Sequence, residues 1–367
     1  MRDHLPEYLS EFFGTAIMMM IGIGAVAFAW GQGSPMHSVE MSDGLRRLLT
    51  GTIFASGGTL VVLSPLGQRS GGHLNPAVTW AFWWKGQVPA SDAIFYTIAQ
   101  CLGATLGVCI VAFFGGTIAD SVQLGLTTPG PGYPASIAFA AEAMITFLLM
   151  YLILHCVNNP KIASLTPYFA GILVAFLVFL EAPVSGTSLN PARSLAPALL
   201  TGLFENQWLY WVAPVLGAFS AVSVFKRLSK QAPASGCAKL FHTENYRCIF
   251  PSCAYTLVEA GKILIVQGDP GDRAFVLERG ELEVRERNAI GIGVVLGRLH
   301  PGDWVGEMSL LLNTPRSASV VAIKDSQLRT VTAENFAHVV KDHPAETLRL
   351  LKQMAARLAS TNEKVMR

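Results

Sequence analysis

The hydrophobic pattern of the chain changes character along its length. From Tyr8 to about Phe225 it runs in long apolar stretches, and six of them are long enough to cross a bilayer: 8–30, 46–66, 92–115, 135–157, 165–181 and 208–227. After Arg227 the segment LSKQAPASGCAKL has the Pro, Ala, Ser and Gly of a linker. Then GKILIVQGDPGDRAFVLERGELEVRER alternates apolar and polar residues between Gly, Asp and Pro turns, which predicts short antiparallel strands. The final HPAETLRLLKQMAARLASTNEKV spaces its apolar residues as an amphipathic helix does. The expected organisation is a helical membrane part over 1–229, a linker over 230–245 and an antiparallel β-roll with helices over 246–367.

Two stretches interrupt the apolar part in the same way: SGGHLNPAVT at 70–79 and SGTSLNPARS at 185–194. Their contexts repeat too. EYLSEFFGTAIMMM at 7–20 resembles ASIAFAAEAMITFLLM at 135–150, each with a Glu near the start of an apolar run. Three spans per half put the halves in opposite orientations, an architecture whose sites lie at broken helices near the bilayer midplane. After Asn75-Pro76 about ten residues precede the polar KGQ at 85–87, and after Asn190-Pro191 about ten precede Thr201-Gly202. Ten helical residues are ~15 Å long, half of a ~30 Å hydrocarbon core. Pro at the first turn needs no N–H partner. Two half-helices from opposite faces would meet at their positive N-termini, with Asn75 and Asn190 able to donate to a passing oxygen. Cations and protons would be repelled there, and Arg193 adds a fixed charge. A neutral, hydrogen-bonding permeant fits.

Composition agrees: 51% of residues are apolar and 14% charged, well below the quarter usual in soluble domains. A net charge of +2 without a basic block gives no reason to expect nucleic acid as a partner. Arg2, Lys85, Lys161, Lys226, Arg227 and Lys230 fall on one side of the predicted spans, which reads as cytoplasmic; Arg46 and Arg47 run against that rule. The first span has no basic run before it and is too long for a cleaved signal. Gly103 and Gly107 form a GxxxG on the third span. Of six cysteines, Cys101, Cys109 and Cys156 read as small core residues, while Cys237, Cys248 and Cys253 match no common zinc spacing, so neither metal nor disulfide is expected. No nucleophile or metal partner accompanies His73 or His155, so no enzyme and no catalytic residue is expected, and His73 reads as a packing or backbone-contact residue.

Residues 5–228 resemble the aquaporin (major intrinsic protein) family through both Asn-Pro-Ala signatures: Asn75, Pro76 and Ala77, and Asn190, Pro191 and Ala192. The resemblance implies six helices, two half-helices, one pore per protomer and a homotetramer in membrane lipid. It implies that Glu11 and Glu142 brace the half-helix loops. Counting from the motifs places the family's narrow selectivity ring at Ala55, Val178, Thr187 and Arg193; a count shifted by one gives Phe54 in place of Ala55. Small and apolar residues in the first two positions imply a ring wider than that of strict water channels. Ser194, Ala198, Tyr210 and Trp211 resemble the water-channel set. The expected permeants are water and small neutral solutes such as glycerol, undissociated boric acid or peroxide.

The soluble part holds LHPGDWVGEMSLLLNTPRSASVVA at 299–322. Gly302 and Gly306 allow close backbone approach, Glu307 suits a sugar hydroxyl, and Arg316 can fork onto a phosphate, with Ser317 adding a hydroxyl. Residues 246–365 resemble the cyclic nucleotide-binding domain of bacterial cAMP receptors and protein kinase A regulatory subunits. The resemblance implies that Glu307 binds the ribose 2′-OH, while Arg316, Ser317 and the backbone of Gly306, Glu307 and Met308 hold the cyclic phosphate. Ser317 after the Arg resembles the cAMP readers more than the cGMP readers. No DNA-binding module is expected after the last helix. Together these features predict a nucleotide-regulated pore in a bacterial inner membrane, both termini cytoplasmic; the alternative is a nucleotide sensor or scaffold with a constitutive or vestigial pore.

Overall fold

The computed structural model describes residues 4–159, 161–228, 237–243, 246, 248–250, 255–271, 273–287, 293–332, 336 and 344–365. The chain divides into two compact units, Met1–Cys253 and Ala254–Arg367. The first unit holds α1 (Leu5–Trp30), α2 (Asp43–Leu63), α3 (Pro65–Ser70), α4 (Pro76–Lys85), α5 (Ala90–Asp120), α6 (Ala135–Val157), α7 (Thr166–Ser185), α8 (Pro191–Thr201) and α9 (Gln207–Leu228). Five of these, α1, α5, α6, α7 and α9, are long and apolar enough to cross a membrane. The sixth expected span is α2. It is 21 residues long, but Asp43, Arg46 and Arg47 lower the hydropathy of its first two turns. Side chains such as Phe113, Phe114, Ile172 and Met144 point outward and exposed, as a lipid-facing surface requires.

The inverted repeat is visible in the packing. α1 lies on α5 in the first half, as α6 lies on α9 in the second. Glycine makes both contacts possible: a Cβ on Gly103 would stand 2.1 Å from the Phe12 carbonyl, and one on Gly217 would stand 2.1 Å from the Ala143 carbonyl. The GxxxG at Gly103 and Gly107 therefore seats α5 on α1 of its own chain. Arg46, which breaks the charge rule, is buried. Its guanidinium donates to the carbonyls of Ala29, Met36 and Val39 at 2.5, 2.8 and 2.9 Å, tying off the end of α1 and the loop after it. Arg2 and Lys230 lie outside the described residues.

The two half-helices have the lengths that the motif spacing predicts. α4 has 10 residues and α8 has 11, each starts with Pro after an extended Asn, and each ends at a left-handed glycine, Gly86 or Gly202.

One boundary differs from expectation. Residues of the expected linker, Ala238 and Leu240, share the hydrophobic core of the helical unit, as does Phe250. Their burial carries the helical unit on to Cys253 instead of ending it near 229.

The second unit contains two four-stranded antiparallel sheets. Their strands are β1 (Tyr255–Val258), β2 (Ile263–Ile265), β3 (Arg273–Arg279), β4 (Leu282–Arg287), β5 (Gly293–Leu299), β6 (Trp304–Val305), β7 (Ser319–Ala322) and β8 (Ser326–Thr332). The sheet orders are β1-β8-β3-β6 and β2-β7-β4-β5. A short helix α10 (Glu307–Leu312) follows β6, and α11 (Pro344–Val365) is the amphipathic helix. Period-two alternation splits β3 between two cores. Phe275 and Leu277 join the core between the sheets, while Ala274 and Val276 pack with Trp304, Val331 and Leu350 of α11.

Candidate pore and nucleotide pocket

The loops that lead into α4 and α8 must run non-helical backbone deep inside the helical unit, where every N–H needs an acceptor. Two buried glutamates supply them. Glu11 accepts from the backbone N–H of His73 and Leu74 at 3.0 and 2.7 Å, from Ser70 Oγ at 2.7 Å and from Gln100 Nε2 at 2.8 Å. Glu142 accepts from the N–H of Ser188 and Leu189 at 2.7 and 2.9 Å and from Ser185 Oγ at 2.6 Å. Tyr96 and Tyr210 complete the symmetry, each donating its hydroxyl at 2.7 Å, to the carbonyls of Ser70 and Ser185. Leu74 and Leu189 are held at φ 51° and 59°, a left-handed conformation that costs of order 1–3 kcal/mol and persists because these bonds over-determine it.

The strained loops deliver the two Asn side chains to one place. Asn75 Nδ2 donates to the Leu189 carbonyl and Asn190 Nδ2 to the Leu74 carbonyl, both at 2.9 Å. Each Oδ1 caps its own half-helix, accepting from Ala77 N at 2.8 Å and Ala192 N at 3.0 Å. The four bonds leave the amides no rotational freedom. Each Nδ2 has two hydrogens and uses one on a carbonyl, so the second is aimed by the two bonds that hold its own amide.

Beside Asn190 lies a cavity of about 350 Å³ whose lining includes Trp30, Arg47, Thr50, Gly51, Phe54, Val174, Val178, Thr187 and Arg193. Three of the four expected ring residues, Val178, Thr187 and Arg193, face it. The fourth does not. Ala55 is absent from the lining and Phe54 is present, with the Arg193 guanidinium 6.0 Å from its ring centroid. The reason is helical pitch. Arg47, Thr50, Gly51 and Phe54 form one stripe of α2, and one residue further turns the side chain ~100° away. Arg193 is fixed by donating to the Gly125 carbonyl at 2.6 Å. Thr187 donates to Glu181 Oε2 at 2.7 Å, a buried carboxylate that motif spacing does not reveal. Ser194 sits in a hydroxyl cluster with Ser188 at 2.5 Å and Thr127 at 2.6 Å, so it holds loops together. Ala198 is fully buried.

In the β unit a cavity of about 1170 Å³ gathers Gly306, Glu307, Met308, Arg316 and Ser317, together with Val284, Leu296 and Arg298 of the strands and Gln353, Met354 and Arg357 of α11. All five expected cassette residues line it. Gly306 has φ 78°, and a Cβ there would stand 2.5 Å from Arg316 Nη1, so only glycine fits. Arg316 is anchored by donating to the Gly306 carbonyl at 3.0 Å. Glu307 is 1% exposed; Oε1 accepts from Arg357 Nη1 at 2.5 Å, and Oε2 has no partner among the described residues. A buried carboxylate oxygen in that state fits a ligand hydroxyl. Gln353 clamps α11 to β6, accepting from Trp304 N and donating to the Trp304 carbonyl, both at 2.9 Å. Sequence reasoning missed Gln353 and Arg357, whose polar spacing on an amphipathic helix looks like any solvated face.

Residues 2–225 match the family described as Major intrinsic protein, and residues 256–343 match the Cyclic nucleotide-binding domain. The glycerol uptake facilitator protein-like 6 of Lactiplantibacillus plantarum is 35% identical over 223 residues, covering 59% of this chain and 95% of that protein. The probable aquaporin NIP7-1 of Arabidopsis thaliana is 33% identical over 223 residues, covering 60% and 76%. The aquaglyceroporin structure from Plasmodium falciparum superposes with a TM-score of 0.53 at 24% identity over 61% of this chain and 96% of that one, a likeness of fold. The chain belongs to the major intrinsic protein family and carries a cyclic nucleotide-binding domain behind its channel domain.

Proposed function

We propose that the helical unit is a passive pore for water that also admits small neutral solutes, glycerol first among them, while excluding protons and ions, and that cyclic nucleotide, cAMP in preference to cGMP, regulates it. The observation that carries the pore reading is the crossed pair of Asn amides. Each is locked by the opposite loop's carbonyl, so both present a donor to a permeant oxygen between two positive helix ends. The reading includes a homotetramer with the Lys85, Lys161 and Lys226 side cytoplasmic, in a bacterial inner membrane. A nucleotide whose ribose hydroxyl donates to Glu307 Oε2 meets a carboxylate that already holds Arg357 of α11 on Oε1, which ties the bound nucleotide to α11.

Phe54 changes the expected ring. An aromatic wall opposite Arg193 narrows it, and Val178 leaves its other side apolar and without a donor. Water should therefore pass faster than glycerol, and the apolar side should admit the carbon face of a polyol. Val178→His should lower glycerol flux about tenfold, the effect of ~1.4 kcal/mol on a barrier, with water flux retained. Stopped-flow light scattering on proteoliposomes measures both. Equal glycerol flux in Val178→His and wild type would place the constriction elsewhere.

A further inference from the structure

The segment between α9 and β1 takes no part in the pore ring or the nucleotide pocket, yet it carries two cysteines and a histidine brought together. Cys237 Sγ stands 3.7 Å from Cys248 Sγ and 3.7 Å from His242 Nδ1. All three ligand atoms lie within 4.8 Å of one another. Tetrahedral zinc with Zn–S of ~2.3 Å and Zn–N of ~2.0–2.1 Å requires S···S and S···N separations of about 3.8 and 3.6 Å. Lys239 N donates to Cys237 Sγ at 3.3 Å, the kind of backbone bond that stabilises a metal-bound thiolate. We propose that Cys237, His242 and Cys248 bind a zinc ion that staples this segment across the approach to Asn75.

The staple's position follows from what the segment touches. Leu240 N donates to the Gly71 carbonyl at 2.9 Å. Ala238 O bonds His73 Nε2 at 2.9 Å, and Lys239 Nζ donates to the Gln68 carbonyl at 2.7 Å. Phe250 stacks on the His73 ring at 5.5 Å and 4°. Residues 71–74 are the non-helical approach to α4, and such backbone at membrane depth is either buried in protein or faces a water path. The segment occupies the Gly71 carbonyl and the His73 ring, groups that water would use on its way to Asn75. Between the zinc ligands run Ala238, Lys239 and Leu240, all buried. Binding an ion that prefers the folded segment shifts the equilibrium toward closure by mass action.

The test uses the full-length protein, with Zn²⁺ and Co²⁺ as probes. The expected result is about one ion per chain, with a thiolate-to-cobalt absorption band that Cys237→Ser/Cys248→Ser abolishes. The flux arm rests on the channel reading. In proteoliposomes, stripping the metal with a chelator should raise water flux about tenfold and added Zn²⁺ should restore it, a shift of ~1.4 kcal/mol between closed and open forms. Cys237→Ser/Cys248→Ser should conduct at the stripped rate with or without Zn²⁺. Substoichiometric binding, binding that survives the double substitution, or a Cys237–Cys248 disulfide in the unreduced protein would overturn the site. Full binding with wild-type flux unmoved by the chelator would overturn the staple. An absence of flux in every protein, the double variant included, would count against the channel reading, while metal stoichiometry would still judge the site.

Discussion

Glu142→Ala is expected to abolish water conduction and to lower the thermal stability of the purified protein. Two backbone N–H groups, those of Ser188 and Leu189, lose their acceptor together with Ser185 Oγ. Each unsatisfied buried donor costs ~1–3 kcal/mol, against a total stability of ~5–15 kcal/mol for a domain. The loop they belong to also holds Leu189 at positive φ, and that strain loses its counterweight. Asn75 then loses its fixed partner, because its amide is locked by the Leu189 carbonyl. Glu142→Gln keeps one carbonyl oxygen and should keep part of the flux. Glu11→Ala should be at least as damaging, since Glu11 accepts four bonds, two from the backbone of the other loop and one each from Ser70 and Gln100. Thermal unfolding in detergent and stopped-flow on vesicles read the two effects; wild-type stability and flux in Glu142→Ala would mean the loop is anchored by other groups.

Arg316→Ala is expected to weaken cyclic nucleotide binding to the full-length protein by about tenfold to 150-fold, the loss of ~1.5–3 kcal/mol of charge-assisted hydrogen bonding. The side chain is buried and already oriented by the Gly306 carbonyl, so its fork is pre-organised for a phosphate. Arg316→Lys keeps the charge and loses the fork, and should fall between the two. Arg357→Ala should change affinity far less, because the ribose hydroxyl is accepted by Glu307 Oε2 and Arg357 holds only Oε1. Calorimetric titration with cAMP decides it. Unchanged affinity in Arg316→Ala would place the phosphate elsewhere in the cavity.

Much of this was legible before any coordinates. The half-helices were, because Asn-Pro-Ala is a local signal and the ~15 Å that follow are a matter of counting. The two glutamates were, because the repeat of the halves carries them, while their bracing role came from the family resemblance alone. Of the expected ring, Val178, Thr187 and Arg193 line the cavity, with Phe54, the count shifted by one, in place of Ala55, because counting back from Asn75 crosses α3 and a turn that set helical phase. The stripe of Arg47, Thr50, Gly51 and Phe54 was in the sequence, but its mixed chemistry hides its period. The segment over residues 237–250 was illegible for another reason. Its buried residues, Ala238, Leu240 and Phe250, follow no helical or strand spacing, and only the tertiary fold of the approach to α4 gives them a surface to cover. The same holds for Cys237, His242 and Cys248, whose spacing matches no common zinc motif while their atoms converge. Gln353 and Arg357 acquire meaning only once α11 is laid against β6 and Glu307.

The proposed regulation turns on one chain coupling a water pore to a cyclic nucleotide. Osmotic water permeability of reconstituted full-length protein, with and without saturating cAMP, beside Arg316→Ala, tests it most directly. Permeability should change on adding cAMP to the wild type and stay constant in Arg316→Ala. The same permeability in all four conditions would contradict it.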